Sequence, residues 1–327
     1  MRIVFMGSAD VSAAVLRALT GAPDLQVAGV VTQPDRPSGR QRRLTPCICK
    51  REALLHALPV ITPVKLNTPE VHEQLITWAP EVIVVVAYGQ FLGSRILSLP
   101  PLGCINVHLS LLPQLRGAAP VQRAIAEGLT ETGVTIMQMD KGMDSGDILM
   151  QQREPIFFDD TAGSLHERLT MLGSALILRA LPLLAFGAII PQKQDASQAT
   201  YAPKLSKEEG LIDWSETAED LALRIRAFNP WPSCYTFIPS GRNGQSEPER
   251  LKVLLADAEP APPDAPDYAP GTVADLDDRG PAIATGAGWL RLRQVQRAGG
   301  RAISGYAFLC GYPLTPGQHI QLEAVFT

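Results

Sequence analysis

Asn106 and His108 stand two positions apart at the end of an apolar segment, and Asp144 lies further along in a Gly/Asp-rich stretch. A strand alternates its side chains with period two, so an extended Cys104–His108 segment turns the amide and the imidazole to one side. An amide N–H beside an imidazole can polarise a carbonyl oxygen and carry a proton. A carboxylate arriving from another loop, Asp144, can orient that imidazole and hold its charge. A lone histidine beside a strand is more often structural than catalytic. The setting favours chemistry here. Ser110-Leu111-Leu112-Pro113 and Arg116-Gly117-Ala118-Ala119-Pro120 form a polar, Gly/Pro-punctuated stretch directly after a buried strand. That is where open α/β sheets hold their ligands.

Several elements must position these groups. Residues 2–6 read as a buried strand, 7–10 as a turn, 11–20 as a helix with apolar residues at Val11, Val15, Leu16 and Leu19, and 26–32 as a second strand. This β-α-β opening predicts a parallel sheet with a right-handed crossover. Only Gly7 stands where a dinucleotide fingerprint wants three glycines, so a nicotinamide-linked dehydrogenase loses its best support. Residues 36–44 read as an irregular basic loop and 46–57 as a helix. Thr68 and Pro69 open another helix to Trp78 as N-cap and first-turn proline. The Val/Ile run at 82–87 predicts a central strand buried on both faces, with Tyr88-Gly89-Gln90 at its carboxyl end. Helix 120–127, strand 133–139, two short edge strands at 148–153 and 155–158, and a long helix from Thr161 to about 186 follow, with Pro182 expected to kink or end its first part. Residues 188–201 read as a connector, 213–215 as a short strand and 218–228 as a helix. After Pro232 short β-like runs alternate with turns, which suggests a small barrel.

The 327 residues allow one or two domains, and the 46% apolar fraction is ordinary for a globular protein. No run of 18 apolar residues occurs, so no membrane span is expected, and no leader is expected from a chain that enters a strand pattern at once. Five cysteines, an odd number, argue against a disulfide framework; Cys47 and Cys49 lie close, but no second pair completes a zinc set. Reduced thiols and a cytoplasmic setting are expected. The net charge of −4 argues against a nucleic-acid partner, but its distribution is uneven. Arg36, Arg40, Arg42, Arg43, Lys50 and Arg51 occupy 36–51 with no acid among them, and five arginines occupy 279–301, again without an acid. Such runs are as often solvated surface as binding sites.

The segments Asn-x-His, Ser-Leu-Leu-Pro, Arg-Gly-Ala-Ala-Pro and Gly-x-Asp-x-Gly-Asp, spread over 106–147, together resemble the folate-dependent formyltransferases. Stretches 131–140 and 33–37 point within that family to the branch that acts on initiator methionyl-tRNA. The resemblance covers nearly the whole chain, from Arg2 to the Arg-Ala-Phe-Asn-Pro-Trp-Pro segment at 226–232, and weakens after about 239. It implies a Rossmann-like α/β formyltransferase domain with a mostly parallel sheet over 1–188, a linker over 189–208, and an OB-like β-barrel domain over 209–327 that binds tRNA. It also implies an enzyme that moves the formyl group of 10-formyltetrahydrofolate to the amino group of methionine on initiator tRNA, without a metal and as a monomer.

The roles follow by the same resemblance. Asn106, His108 and Asp144 are the catalytic set. Ser110, Leu111, Leu112, Pro113, Tyr88 and Gly89 line the folate pocket, although Tyr88 could equally be packing. Arg36, Arg40, Arg42, Arg43 and Arg116 meet tRNA. The sequence departs from the family pattern at Leu109, where a small residue or Pro is usual, at Gln114-Leu115, where a basic-aromatic pair is common, and in the spelling of the basic loop. The part from Glu209 onward holds 15 acids against 10 bases. Two other readings stay open: a formyltransferase for nucleotide-linked amino sugars or a formyl-folate hydrolase, which share the catalytic set, and a non-catalytic RNA-binding protein built on the barrel.

Overall fold

A computed structural model of the protein describes residues 1–38, 43–239 and 248–320. In chain order it runs β1 (Arg2–Gly7), α1 (Asp10–Thr20), β2 (Gln26–Val31), β3 (Arg36–Ser38), β4 (Arg43–Thr45), α2 (Ile48–Leu55), β5 (Val60–Ile61), α3 (Pro69–Trp78), β6 (Val82–Val86), α4 (Ser94–Leu97), β7 (Cys104–His108), β8 (Arg116–Gly117), α5 (Pro120–Ala126), β9 (Glu131–Gln138), β10 (Ile148–Pro155) and α6 (Ala162–Ala185). It continues with β11 (Tyr201–Ala202), α7 (Ala218–Ala227), β12 (Cys234–Ile238), β13 (Glu249–Glu259), β14 (Val273–Asp277), β15 (Gly280–Ala284), β16 (Trp289–Arg297), β17 (Ala302–Ser304) and α8 (Gly305–Gly311). Two compact units result. One comprises Met1–Pro120, Glu131–Pro155 and His166–Pro203; the other takes Val121–Thr130, Ile156–Leu165 and Lys204 onward.

The first unit is built on a seven-stranded sheet in the order β10-β9-β7-β6-β1-β2-β5. The five strands from β5 to β7 are parallel, while β9 pairs antiparallel with both β7 and β10. All five residues of β6 are buried, as the unbroken Val/Ile run predicts for a strand covered on both faces. Burying each such side chain contributes about 1.5–3 kcal/mol. Thr68 accepts from the Val71 N–H and caps α3, with Pro69 in its first turn. Helix α6 has a mean hydropathy of 1.4 over 18 residues, enough by length and composition for a membrane span. Leu169, Leu176, Ile177 and Leu181 of that helix are nevertheless buried in the protein core, and its Gly173 comes up against Val107 and Val134.

Four sequence expectations change here. The predicted irregular basic loop is an antiparallel hairpin, β3–β4, where it is described. The two predicted edge strands are the single strand β10, and α6 runs through Pro182, which it carries inside the helix. In the second unit the predicted strand at 213–215 is a turn held by Asp213, whose carboxylate accepts from the Ser215 N–H and hydroxyl. Trp214 is buried there, its indole N–H donating to Thr236 at 3.3 Å.

The second unit carries an antiparallel six-stranded sheet, β12-β13-β16-β15-β14 with β17 added beside β16, in keeping with the barrel-like domain expected. Register shifts near Val253–Ala256 interrupt the β13–β16 ladder, and bulges of this kind raise local twist and help a sheet curl. Four of the five arginines at 279–301 are absorbed by this sheet. Arg291, 2% exposed, reaches Glu259 at 2.8 Å, Asp275 at 3.0 Å and Asp277 at 3.1 Å. Arg279 pairs with Asp277 and Glu259, Arg293 with Asp257, and Arg297 with Glu249. Burial opposes ionisation of Asp277, but the hydrogen bonds from Arg279 and the charges of Arg291 and Arg279 outweigh it and hold the carboxyl below its usual range.

Arg291→Met removes the cation at the centre of three carboxylates. Breaking a buried pair costs about 3–5 kcal/mol, and the partial exposure of these acids reduces that to about 2–3 kcal/mol. Urea unfolding should show that loss; a midpoint equal to the parent's would mean that the carboxylates relax into water without penalty.

Candidate functional site

The chain builds outward from β1 to β2 and β5 on one side, then returns to place β6 and β7 on the other. Strand order therefore reverses at the β1/β6 pair, and ligands of open α/β sheets bind outside the carboxyl ends of strands at such a point. Strand β7 lies next to β6 and ends there on His108. Its register sets Asn106 opposite Val85 on one side and Met137 on the other, and His108 opposite Thr135. Asn106 and His108 share a face of β7. Val107 and Leu109 share the other, where both come within reach of Gly173 on α6. The unusual Leu109 is thus a core residue, 7% exposed, on the face away from Asn106 and His108.

The His108 ring is 6% exposed. Its Nε2 lies 3.0 Å from the Leu115 carbonyl, and its Nδ1 lies 3.7 Å from Asp144 Oδ2. A carbonyl oxygen accepts and never donates, so Nε2 carries the hydrogen in this arrangement. The Nδ1–carboxylate separation exceeds a hydrogen bond but suits a counter-charge for the imidazolium. The Asp144 carboxylate has its own anchor: Oδ2 accepts the Gly117 N–H at 2.8 Å. The Asn106 side chain makes no hydrogen bond among the described residues and stays available as a donor. Cys104, two residues earlier, is buried, and burial pushes its thiol up to about 12, so it remains neutral and is no nucleophile.

Two loops bring these partners in. Asp144 sits at φ +49° and Leu115 at φ +58°, both left-handed conformations that cost free energy for residues with a Cβ. Gly117 has φ +118°, and a Cβ there would lie 2.7 Å from the Ala202 carbonyl, so only glycine lets its N–H meet Asp144. The loop at 110–115 is pinned from the neighbouring strands. The Thr135 hydroxyl donates to the Ser110 carbonyl at 2.7 Å and accepts from the Leu112 N–H at 3.1 Å. Gln151 donates to the Leu112 carbonyl and to Thr135.

The residues expected to hold folate divide by environment. Ser110 is fully buried, and its hydroxyl is spent on the Gln114 carbonyl at 2.7 Å. Leu112 is 3% exposed, while Leu111 and Pro113 are half-buried. The Tyr88 ring belongs to the apolar core, where burial pushes its phenol up to about 12 and its hydroxyl finds no hydrogen bond among the described residues. Its carbonyl accepts from Gln33 at 2.8 Å, and Gly89 follows at φ +82°. At this strand end the chain offers backbone groups rather than the phenol.

Of the arginines expected to meet tRNA, Arg36 and Arg43 are exposed on the β3–β4 hairpin and pair with no acid among the described residues. Arg40 and Arg42 lie outside the described residues. Arg116 is placed differently from that expectation. It is 7% exposed, and its guanidinium is turned onto Gln194 at 3.1 and 2.7 Å. Sequence reasoning missed Thr135, Gln151, Gln33 and Gln194. Their partners are mostly backbone atoms distant in sequence, and no motif marks such contacts.

Family models match both parts of the chain. A formyl transferase model matches residues 1–181, and a formyl transferase C-terminal domain model matches 204–313. Methionyl-tRNA formyltransferase of Marinobacter nauticus is 44% identical over 98% of this chain and 100% of its own length. The enzyme of the same name from Bacillus subtilis is 42% identical over 97% of this chain and 96% of its own length. Among solved structures, WlaRD, a sugar 3N-formyl transferase studied with dTDP and 5-N-formyl-THF, superposes with a TM-score of 0.61 at 16% identity, covering 91% of this chain and 97% of that one. HypX from Aquifex aeolicus in complex with tetrahydrofolic acid gives a TM-score of 0.59 at 17% identity, over 94% of this chain and 47% of that one. At those identities the two structures share the fold.

Thr135→Val keeps the shape and deletes the hydroxyl that joins Ser110, Leu112 and Gln151. It leaves a buried N–H and a buried carbonyl unpaired, a loss of about 2 kcal/mol. Urea unfolding should show a lower midpoint at an unchanged slope; a parent-like midpoint would mean that the loop finds other partners.

Proposed function

We infer that this chain, which belongs to the methionyl-tRNA formyltransferase family, transfers the formyl group of 10-formyltetrahydrofolate to the amino group of methionine on initiator methionyl-tRNA. The observation that carries the mechanism is the pairing of Asn106 and His108 on one face of the β7 end, with the Asp144 carboxylate 3.7 Å from the ring. The methionine nitrogen attacks the formyl carbon, a C–N bond forms, and the carbonyl oxygen gains the negative charge of a tetrahedral intermediate. The free amide of Asn106 donates to that oxygen. With Nε2–H held by the Leu115 carbonyl, Nδ1 of His108 takes the proton that the attacking amine gives up, donates the resulting N–H to the same oxygen, and passes that proton to the folate nitrogen as its bond to the formyl carbon breaks. Asp144 balances the imidazolium formed between the two transfers. No covalent enzyme intermediate is needed.

We place the folate against the backbone of Tyr88–Gly89 and the Ser110-Leu111-Leu112-Pro113 loop. The polar groups of those segments already fixed within the protein make a rigid rim for a flat heterocycle. Arg36, Arg40, Arg42 and Arg43 are assigned to tRNA phosphates. The hairpin follows β2, whose carboxyl end is on the same sheet edge as that of β7, which supports the assignment. Arg116 shapes the wall through Gln194. The expected C-terminal barrel domain, 209–327, is assigned to tRNA binding. Both substrates are charged and water-soluble, which supports a cytoplasmic enzyme working away from membranes.

Asn106→Ala and His108→Ala should each lower kcat on the order of 10²–10³-fold, the usual effect of losing an oxyanion donor, with the thermal midpoint retained. Formylation of charged initiator tRNA by the purified chain is the assay. Near-parent turnover in either variant would remove that residue from the mechanism, and formylation of an amino-sugar nucleotide in place of the tRNA would change the substrate.

Replacing Arg40, Arg42 and Arg43 together by Ala should raise KM for charged tRNA and flatten its dependence on salt, because phosphate contacts release counterions. KM for formyl-folate should barely move. Equal salt slopes for variant and parent would sink the phosphate assignment.

A further inference from the structure

The segment between α6 and β11 lies across both loops that serve His108. Gln192 exchanges backbone hydrogen bonds with Ile148 at 2.7 and 2.9 Å. Thr200 accepts the Leu115 N–H on its hydroxyl and the Arg116 N–H on its carbonyl. Ala202 accepts from Ala118. Between these ties stands Gln194. Its amide nitrogen donates to the carbonyls of Asp144 at 2.8 Å and Gly146 at 2.7 Å, and its oxygen accepts from Nε and Nη2 of Arg116. Two donors and two acceptor sites are all that a glutamine amide possesses, and all four are used. The orientation is fixed by the partners: turned over, the oxygen would face two carbonyls and the nitrogen a guanidinium.

We propose that Gln194 is a positioning residue for formyl transfer, holding the left-handed Asp144 backbone so that its carboxylate stays on the Gly117 N–H and beside His108. This rests on the formyl-transfer reading. Asp144 occupies a backbone conformation that its own side chain disfavours. Gly146, on the far side of the turn, packs closely on the Gln138 carbonyl, where a Cβ would lie 1.9 Å from the oxygen. The pair of hydrogen bonds from Gln194 is the tie that joins this turn to Arg116 and hence to the loop holding Gly117 and Leu115. Without it Asp144 can relax, and the counter-charge leaves the imidazole.

The test uses Gln194→Ala and Gln194→Glu, each alone and combined with Asp144→Asn. Both single variants should lose about tenfold or more in kcat, as small misplacements of reacting groups do, with KM for both substrates within about twofold. In the Asp144→Asn background either change should cost less than about twofold, since its target has gone. Gln194→Glu keeps the acceptor for Arg116 and lacks the donors for the two carbonyls. Parent-like kcat in that variant would make Arg116 pairing the whole role and overturn the proposal. So would equal losses with and without Asp144→Asn. Hydrogen exchange gives a readout that needs no activity. The Gly117 amide, bound to Asp144, should lose about tenfold of its protection in Gln194→Ala, while the Arg116 amide, bound to Thr200, keeps its own. Unchanged Gly117 protection would overturn the proposal even in a parent that formylates nothing, and that inactivity would by itself overturn only the assigned reaction.

Discussion

The register of β7 is the constraint on which the site depends. Asn106 lies between Val85 and Met137, and His108 opposite Thr135. A slip of one residue would exchange the faces, sending the imidazole and the amide towards α6 and putting Val107 and Leu109 in their place. That slip is opposed by burial. Val107 and Leu109 are 4% and 7% exposed, and the neighbouring β6 has no polar face to offer in exchange. The apolar residues between the chemical ones therefore set the direction of the chemical ones.

Register alone does not finish the site, because the partners of His108 come from loops outside the sheet. These loops are held by side-chain to backbone hydrogen bonds from rigid strands and from the segment after α6. Thr135 and Gln151 hold the turn at 110–115, and Gln194 and Gly117 hold the turn at 144. Asp144 and Leu115 sit in left-handed conformations, and local strain of this kind persists where the surroundings over-determine the backbone. The Leu115 carbonyl and the Asp144 carboxylate then meet the two nitrogens of one ring from opposite loops. The Leu115 carbonyl thereby fixes which ring nitrogen carries the hydrogen, although it does no chemistry itself.

How much of this was legible follows from the range of each interaction. The β-α-β opening, the buried Val/Ile strand and the capped α3 depend on neighbours in sequence, and their patterns announced them. The Asn-x-His spacing gave the shared face of Asn106 and His108 from strand periodicity alone. Thr135, Gln151 and Gln194 gave no signal, since each is an ordinary polar residue whose partners are set by tertiary structure. Arg116 looked like a cation for phosphate, but its partner lies 78 residues away in sequence. The Tyr88 ring went to the core, and its carbonyl accepts from Gln33.

Charge shows the same limit from the opposite side. The five arginines at 279–301 formed a second acid-free basic run beside that at 36–51, and sequence offered no ground to assign the two differently. In the sheet of the second unit four of them meet carboxylates from β13 and β14, so that run is part of the internal electrostatics of the sheet. On the β3–β4 hairpin Arg36 and Arg43 have no such partners among the described residues. Exposed charges act over a Debye length of about 8 Å at physiological salt. A phosphate approaching the hairpin therefore responds to those arginines far more than to the net charge of −4 of the whole chain. An acidic protein can in this way present a cationic surface to a polyanion, provided that its acids are occupied with arginines elsewhere.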